Sequence, residues 1–298
     1  MSLRILQFGA TGQFAREVLA RIEPGIEVTA LSRAEVDLTD ADAITRAVGE
    51  AGEIDLVLNA AAYTAVDKAE SEPDLAFAVN AWAPAAMAKA CQARGVPFLH
   101  LSTDMVFSGA KDGAYVEADA PAPILVYGAS KLAGEQAAMA ACERTLVMRV
   151  SWLFSAYGQN FLQAMLRLAE TQPVLKVVAD QRARPTASGD VAAFVLSQAA
   201  RLARAPAGAP EWGLLHVVNE GAASRYDMAQ AIFDIARPGR IPAMEPVPTA
   251  AFPTPARRAL NAELDTSRMK QVFGLQLRPW REALEEVLED IAAAEVAA

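Results

Sequence analysis

The sequence has only two cysteines, Cys91 and Cys142, and no C-x-x-C spacing. That excludes a disulfide-stapled scaffold and a cysteine-rich zinc module. Histidine is as scarce: His100 and His216 stand far apart, outside any H-E-x-x-H, so a histidine-rich metal site is not expected. No apolar run approaches the ~20 residues of a membrane-spanning helix. The opening Met1 to Phe8 carries too little apolar length for a secretory signal, so the expectation is a soluble, cytoplasmic protein. Positive charge is also short, with 27 Lys and Arg against 36 Asp and Glu, a net charge of −9. An acidic chain lacks the basic face that nucleic acids require, although a local basic pocket for a phosphorylated ligand stays open.

What is present suits a large α/β protein. The 298 residues are 53% hydrophobic and 21% charged, enough to bury a sizeable core in one large domain or two. Short apolar runs over residues 5–8, 28–31, 54–58, 96–101 and 145–150 read as strands. Helical patterns over 13–22, 41–48, 75–93 and 131–142 lie between them. Regular alternation of this kind predicts a Rossmann-type, doubly wound parallel sheet. Beyond residue 150 the pattern loosens. Helices are expected over 160–170, 187–203, 227–236 and 280–293, and strands over 175–178 and 214–218. A loop is expected over 205–210, and the four prolines of 246–255 predict an extended loop.

The first strand runs into Gly9-Ala10-Thr11-Gly12-Gln13-Phe14-Ala15, and a helix follows at once. Gly9 permits a tight turn, Gly12 lets a pyrophosphate approach the backbone, and Ala15 keeps the helix close to the sheet. The phosphate would sit on the helix N-terminus, where free N–H groups favour anions. The second strand ends in Ser32-Arg33 rather than the acid that commonly holds the ribose of NAD. A hydroxyl and a guanidinium suit a 2′-phosphate, which favours NADPH, with NADH the second candidate. Asp37-Leu38 follows, either beside the adenine or as a turn. Asn59-Ala60-Ala61-Ala62-Tyr63-Thr64 ends the third strand, and its small residues read equally as a bed for a cofactor or as tight helix–sheet packing.

The fourth strand ends in Ser102-Thr103-Asp104, at the carboxyl edge where ligands bind in such sheets. Further on, Tyr127 and Lys131 stand four apart, on one face of a helix. A lysine beside a phenol is expected to lower the phenol's pKa from ~10. A tyrosine tuned so can give a proton to a carbonyl oxygen as hydride reaches the carbon, and Thr103 could bond the same oxygen. Glu135, one turn on, reads as a helix-face ion-pair partner.

The set Gly9-x-x-Gly12-x-x-Ala15, Ser102-Thr103 and Tyr127-x-x-x-Lys131 resembles the extended short-chain dehydrogenase/reductases. Within them, Asn59 to Glu70, Ser102 to Phe107, Val126 to Glu135, Arg149 to Trp152, Asp180-Gln181 with Pro185-Thr186, and Pro253 to Arg258 resemble the dTDP-4-dehydrorhamnose reductase family. The likeness runs in order along nearly the whole chain. It implies reduction of the C4 ketone of dTDP-4-dehydro-L-rhamnose by NADPH, on a cytoplasmic monomer or homodimer with no membrane or nucleic-acid partner; the alternative readings are a reductase or epimerase of another nucleotide sugar, or a non-catalytic regulatory subunit of the same fold. It implies Tyr127 as proton donor, Lys131 as its tuner and ribose ligand, and Thr103 as carbonyl partner. Thr103, Asp104 and Trp152 would touch the sugar. Gly9, Thr11, Gly12, Gln13, Phe14, Ser32, Arg33, Asp37, Leu38, Ala60, Ala61, Ala62, Tyr63 and Thr64 would line the cofactor. It also implies a smaller, discontinuous α/β substrate domain, formed by about 151–180 and 207–298, set against a cofactor domain of 1–150 and about 181–206. Arg257 and Arg258 would serve that domain as diphosphate or nucleotide ligands, or else as rim partners of Glu245 or Asp265. The chain departs from the family pattern at Met105, Ala183, Arg225, Ala259 and Ala262. All but Met105 lie in the sugar-side half, so they bear on the sugar nucleotide rather than on the nicotinamide chemistry. Some members dimerise through carboxylate-held magnesium, for which Glu17 and Asp190 fall near the relevant positions, though both also read as surface acids.

Overall fold

The computed structural model describes residues 2–236 and 242–297. The chain opens with β1 (Leu3–Phe8), α1 (Gln13–Ala20), β2 (Ile26–Leu31), α2 (Ala41–Gly49) and β3 (Leu56–Asn59). Short α3 (Val66–Ala69) and α4 (Pro73–Phe77) lead through a π-helical turn (Ala78–Trp82) into α5 (Ala83–Arg94). Then come β4 (Phe98–Thr103), a 3-10 turn (Asp104–Val106), α6 (Val126–Ala141) and β5 (Thr145–Val150). The second half holds β6 (Leu153–Phe154), α7 (Phe161–Thr171), β7 (Val174–Val178), β8 (Arg182–Ala183), β9 (Thr186–Ala187) and α8 (Ser188–Arg204). It closes with β10 (Gly213–His216), β11 (Ala223–Ser224), α9 (Arg225–Ala236), β12 (Ala243–Val247), α10 (Ser267–Phe273) and α11 (Trp280–Ala297).

Six strands form one parallel sheet in the order β2-β1-β3-β4-β5-β10. Alternate strand residues feed opposite cores. Ile5, Leu56 and Leu58 pack with Val18 of α1 and Val191 and Val195 of α8. Leu6, Phe8 and Val57 pack with Ile44 and Val48 of α2 and Met87 and Cys91 of α5. Burial on both faces explains why the strands read as unbroken apolar runs. This is the doubly wound Rossmann-type architecture. A separate core joins Phe154, Leu162, Leu175, Val177, Met228, Phe233 and Leu284, drawn from β6, α7, β7, α9 and α11. β10 and α10, within the expected 207–298 stretch, pack with the main sheet instead. β10 is its edge strand, and Met269 and Phe273 join its core.

Three elements differ from the sequence reading. The helix expected over 75–93 is broken by the π turn. Pro84 has no N–H to give the Asn80 carbonyl, so regular α bonding cannot run through that point. The freed Asn80 carbonyl is directed at α6, where only Gly134 leaves room: a Cβ there would lie 2.0 Å from it. α6 itself starts at Val126, five residues before the expected start. The proline-rich loop begins as a strand, for β12 runs to Val247 and pairs in parallel with β7. Among the described residues, no helix is long and apolar enough to cross a membrane.

Candidate active site

The chain leaves β1 for β2 on one side and returns to β3 on the other, so the carboxyl ends of β1 and β3 open a crevice between them. A cavity of about 890 Å³ occupies it. Gly9 turns out of β1 at φ +98°. Gly12 is the N-cap of α1 and supplies no side-chain acceptor to the first-turn N–H groups. A Cβ at Gly12 would meet nothing within 4 Å. Thr11, Gly12, Gln13 and Phe14 all line the cavity, so an open cradle lies over uncapped backbone donors. That arrangement fits a dinucleotide pyrophosphate.

Ser32, Arg33, Asp37 and Leu38 line one end. Arg33 is exposed and Ser32 half-buried. Glu35 receives the Ser32 N–H at 2.6 Å, a contact the sequence did not suggest. The Asp37 carboxylate accepts from the Thr39 backbone and hydroxyl, both at 2.9 Å, and these bonds with Arg33 nearby hold its pKa down. Ala60, Ala61, Ala62, Tyr63 and Thr64 line the middle. Asn80, on the π turn, clamps this segment. Its amide accepts the Tyr63 N–H at 2.9 Å and donates to the Tyr63 carbonyl at 3.0 Å. It also donates to Ser130 on α6 at 3.0 Å. Sequence reading missed Asn80, because its role depends on the break at Pro84.

Thr103, Asp104, Tyr127, Lys131 and Trp152 converge at the other end of the same cavity, with Met105 beside them. Thr103 donates to Asp104 at 2.9 Å, and Ser151 donates to the other carboxylate oxygen at 2.6 Å. Burial pushes the Asp104 pKa up, against these bonds and the charge of Arg225. Trp152 has φ 43°, a left-handed conformation that costs a bulky residue energy and that clusters at functional sites.

The expected depression of the Tyr127 pKa does not hold. Burial and the Asp104 carboxylate push the phenol up, and only a hydrogen bond with Thr103 pulls the other way. Desolvation outweighs proximity to a cation because the phenol is enclosed. Lys131 is pushed down to about 8 by burial, against the attraction of Glu135. Its ammonium donates to the Leu101 carbonyl at 2.6 Å. Glu135 is not on an exposed helix face either. It is buried against Arg149 of β5, with contacts of 2.6 and 2.9 Å, and accepts from Ser102.

Arg257 and Arg258 do not line this cavity. Arg257 is exposed, and Arg258 pairs with Asp67 at 2.9 Å rather than with Glu245 or Asp265. Arg225 lines it instead, its guanidinium 3.6 Å above the Trp152 ring and 4.9 Å from that of Phe161. The signal available in sequence was its place among the departures from the family pattern. The magnesium expectation finds no support. Glu17 pairs with Arg21 and Ser155, and Asp190 with Arg278 at 2.8 Å. Among the described residues, no cluster of three metal-ligating side chains occurs.

Comparison with known proteins gives the family. The family described as RmlD substrate binding domain matches residues 3–293. A dTDP-4-dehydrorhamnose reductase of Sinorhizobium fredii is 40% identical over 283 residues, 94% of this chain and 95% of that one. The Escherichia coli enzyme of the same name is 38% identical over 296 residues, 97% of this chain and 98% of that one. The crystal structure of dTDP-4-dehydrorhamnose reductase from Bacillus anthracis in complex with NADP superposes with a TM-score of 0.89 at 32% identity, covering 97% of this chain and all of that one. A glycine turn, a Tyr127–Lys131 pair and the cavity joining them thus occur in a chain that matches these proteins from end to end, and the chain belongs to the dTDP-4-dehydrorhamnose reductase family.

Proposed function

We propose that the protein reduces the C4 ketone of dTDP-4-dehydro-L-rhamnose to the alcohol of dTDP-L-rhamnose, with NADPH as reductant. The observation that carries this reading is the single cavity running from the uncapped start of α1 to the buried Tyr127, in a chain that matches the reductases throughout. When bound, NADPH supplies the hydride that goes to C4. The N–H groups at Gly12, Gln13 and Phe14 hold its diphosphate, with Gly9 and Thr11 shaping the turn. Ser32 and Arg33 hold the 2′-phosphate, beside Asp37 and Leu38 at the adenine. Ala60 to Thr64 form the bed. NADH is the second candidate, because Glu35 stands beside Ser32.

Tyr127 is the acid. Its raised pKa keeps the proton on the phenol at neutral pH, ready to pass to O4 as C4 accepts the hydride. The carbonyl π bond opens, a C–H and an O–H bond form, and Tyr127 is left as phenolate. Lys131 steadies that phenolate, returns a proton to it and holds the ribose. Thr103 offers its hydroxyl to the ketone oxygen, Asp104 takes sugar hydroxyls, and Trp152 packs on the sugar ring. The core around α7, α9 and α11 covers the nucleotide-sugar end.

The test follows NADPH absorbance on adding dTDP-4-dehydro-L-rhamnose made in situ from dTDP-glucose by a dehydratase and an epimerase. Loss of NADPH that requires the epimerase is the expected result. Tyr127→Phe should bind NADPH as before and lose turnover by roughly 10²–10⁴-fold. Binding of NADPH with no oxidation would sink the reductase reading, and full activity of Tyr127→Phe would remove the acid.

A further inference from the structure

Behind Lys131 lies a polar chain that the reaction as proposed does not use. His100 on β4 is fully buried, its ring stacked on Phe98 at 6.0 Å and 16°. Its Nδ1 lies 3.1 Å from the Asn59 amide nitrogen and its Nε2 lies 3.4 Å from Lys131 Nζ. We infer that Asn59 fixes the His100 tautomer so that an N–H, not a lone pair, faces Lys131, which makes His100 a positioning residue that readies Lys131 to release its proton.

The argument starts at Ala61. Its backbone N–H is donated to Asn59 Oδ1 at 3.0 Å, and that bond sets which way the amide points. The NH2 group therefore faces His100 Nδ1. An amide NH2 only donates, so Nδ1 must accept. Burial and the charge of Lys131 keep His100 neutral. A neutral imidazole carries one proton, which then sits on Nε2 and points at Lys131 Nζ. An ammonium has three N–H groups and no acceptor, whereas a neutral amine has a lone pair. An imidazole N–H at this point thus favours the amine and disfavours the ammonium.

The other groups around Lys131 do not undo this. Glu135, one turn along α6, favours the ammonium, but its carboxylate is shared by Arg149 from β5 and Ser102 from β4. Asp104, on the 3-10 turn, and Tyr127 lie on the cavity side, where Arg225 stands over Trp152. The Leu101 carbonyl takes one N–H whichever form is present. Burial, against Glu135, brings Lys131 down to about 8, where its proton passes readily to a phenolate. His100 has no exposed surface, so it acts by facing Lys131 and not as a route to solvent.

The inference rests on the reductase reading for its consequence, but its first test needs no substrate. The chain has only two histidines. In [15N]histidine-labelled protein, a long-range proton–nitrogen spectrum reads the tautomer of each, and His100→Phe identifies the His100 signals by their loss. A neutral Nε2–H form at His100 is expected, and a Nδ1–H form would overturn the inference. The second test is Asn59→Asp. A carboxylate can only accept at neutral pH, so it draws the proton to Nδ1 and turns the Nε2 lone pair toward Lys131. The alkaline limb of kcat/KM should then move up by about one pH unit, as a bond to the charged form replaces a donor against it. His100→Phe, which keeps the stacked ring and removes the N–H, should move the limb the same way. NADPH binding and thermal unfolding report whether each variant is folded. Limbs unmoved in folded variants would overturn the inference. A wild-type enzyme that binds NADPH without consuming it would instead count against the proposed function and leave the tautomer result intact.

Discussion

Arg33 stands exposed at the rim of the cavity near Asp37, so its charge is available to a ligand. Arg33→Ala should raise the KM for NADPH about tenfold, the worth of one charge-assisted hydrogen bond, and change that for NADH less than twofold. Steady-state kinetics with the two cofactors checks this. Equal effects on both would mean that Arg33 does not read the 2′-phosphate. At this scale the sequence told residue types and spacing but not surroundings. Tyr127 and Lys131 were legible because four residues on a helix put two side chains on one face. The direction of the Tyr127 shift was not, since it depends on how tightly β4, α6 and the 3-10 turn enclose the phenol. Arg225 and Asn80 were missed for a related reason: each acts across the fold, on Trp152 and on Tyr63.

At the level of elements, α6 carries both members of the reacting pair and is fixed at close quarters on two sides. A Cβ at Gly128, the neighbour of Tyr127, would lie 2.1 Å from the Met105 carbonyl. Gly128→Ala should therefore push α6 off the 3-10 turn and cut kcat by at least about 100-fold, in line with the sensitivity of catalysis to 1 Å displacements. NADPH affinity, governed largely by the α1 end, should fall far less. Equal losses in both would show that the helix does not pivot at this point. The helix is also tied to β5 by the Glu135–Arg149 pair, both side chains 1% exposed. Glu135→Gln leaves a buried guanidinium without its counter-charge, which should cost roughly 3–5 kcal/mol in urea unfolding. An unchanged midpoint would mean that the pair contributes nothing to stability. The central strands were legible because their residues alternate between two apolar cores. The early start of α6 was not, because Val126 has no side-chain cap before it and Leu125 enters in extended backbone.

For the whole molecule, two fully buried histidines set a dependence on acid. Burial lowers the pKa of both, that of His216 to about 3, from an unfolded value near 6.5. The unfolded chain therefore binds more protons below pH 6.5, and stability falls as the pH drops from there toward 3. His216 should contribute a slope of about 1.4 kcal/mol per pH unit in that window, and His100 adds to it in the same direction. Urea midpoints taken between pH 7 and 4 check this, and a flat profile would refute it. The parallel sheet was readable from alternation alone. The partition into cores was less so, because α8, β10 and α10 return to the main sheet between stretches that feed the second core, and local periodicity does not report such returns. What the two cores frame between them is one cavity with a phosphate cradle at one end and a proton donor at the other. The measurement that tests this most directly is transfer of label from NADPH carrying deuterium at both C4 positions of the nicotinamide, with the sugar product read by NMR. The account predicts one deuterium at C4 of the product sugar, and none when Tyr127→Phe replaces the enzyme in the same time. Deuterium at another carbon, or none in a product that nevertheless forms, would contradict it.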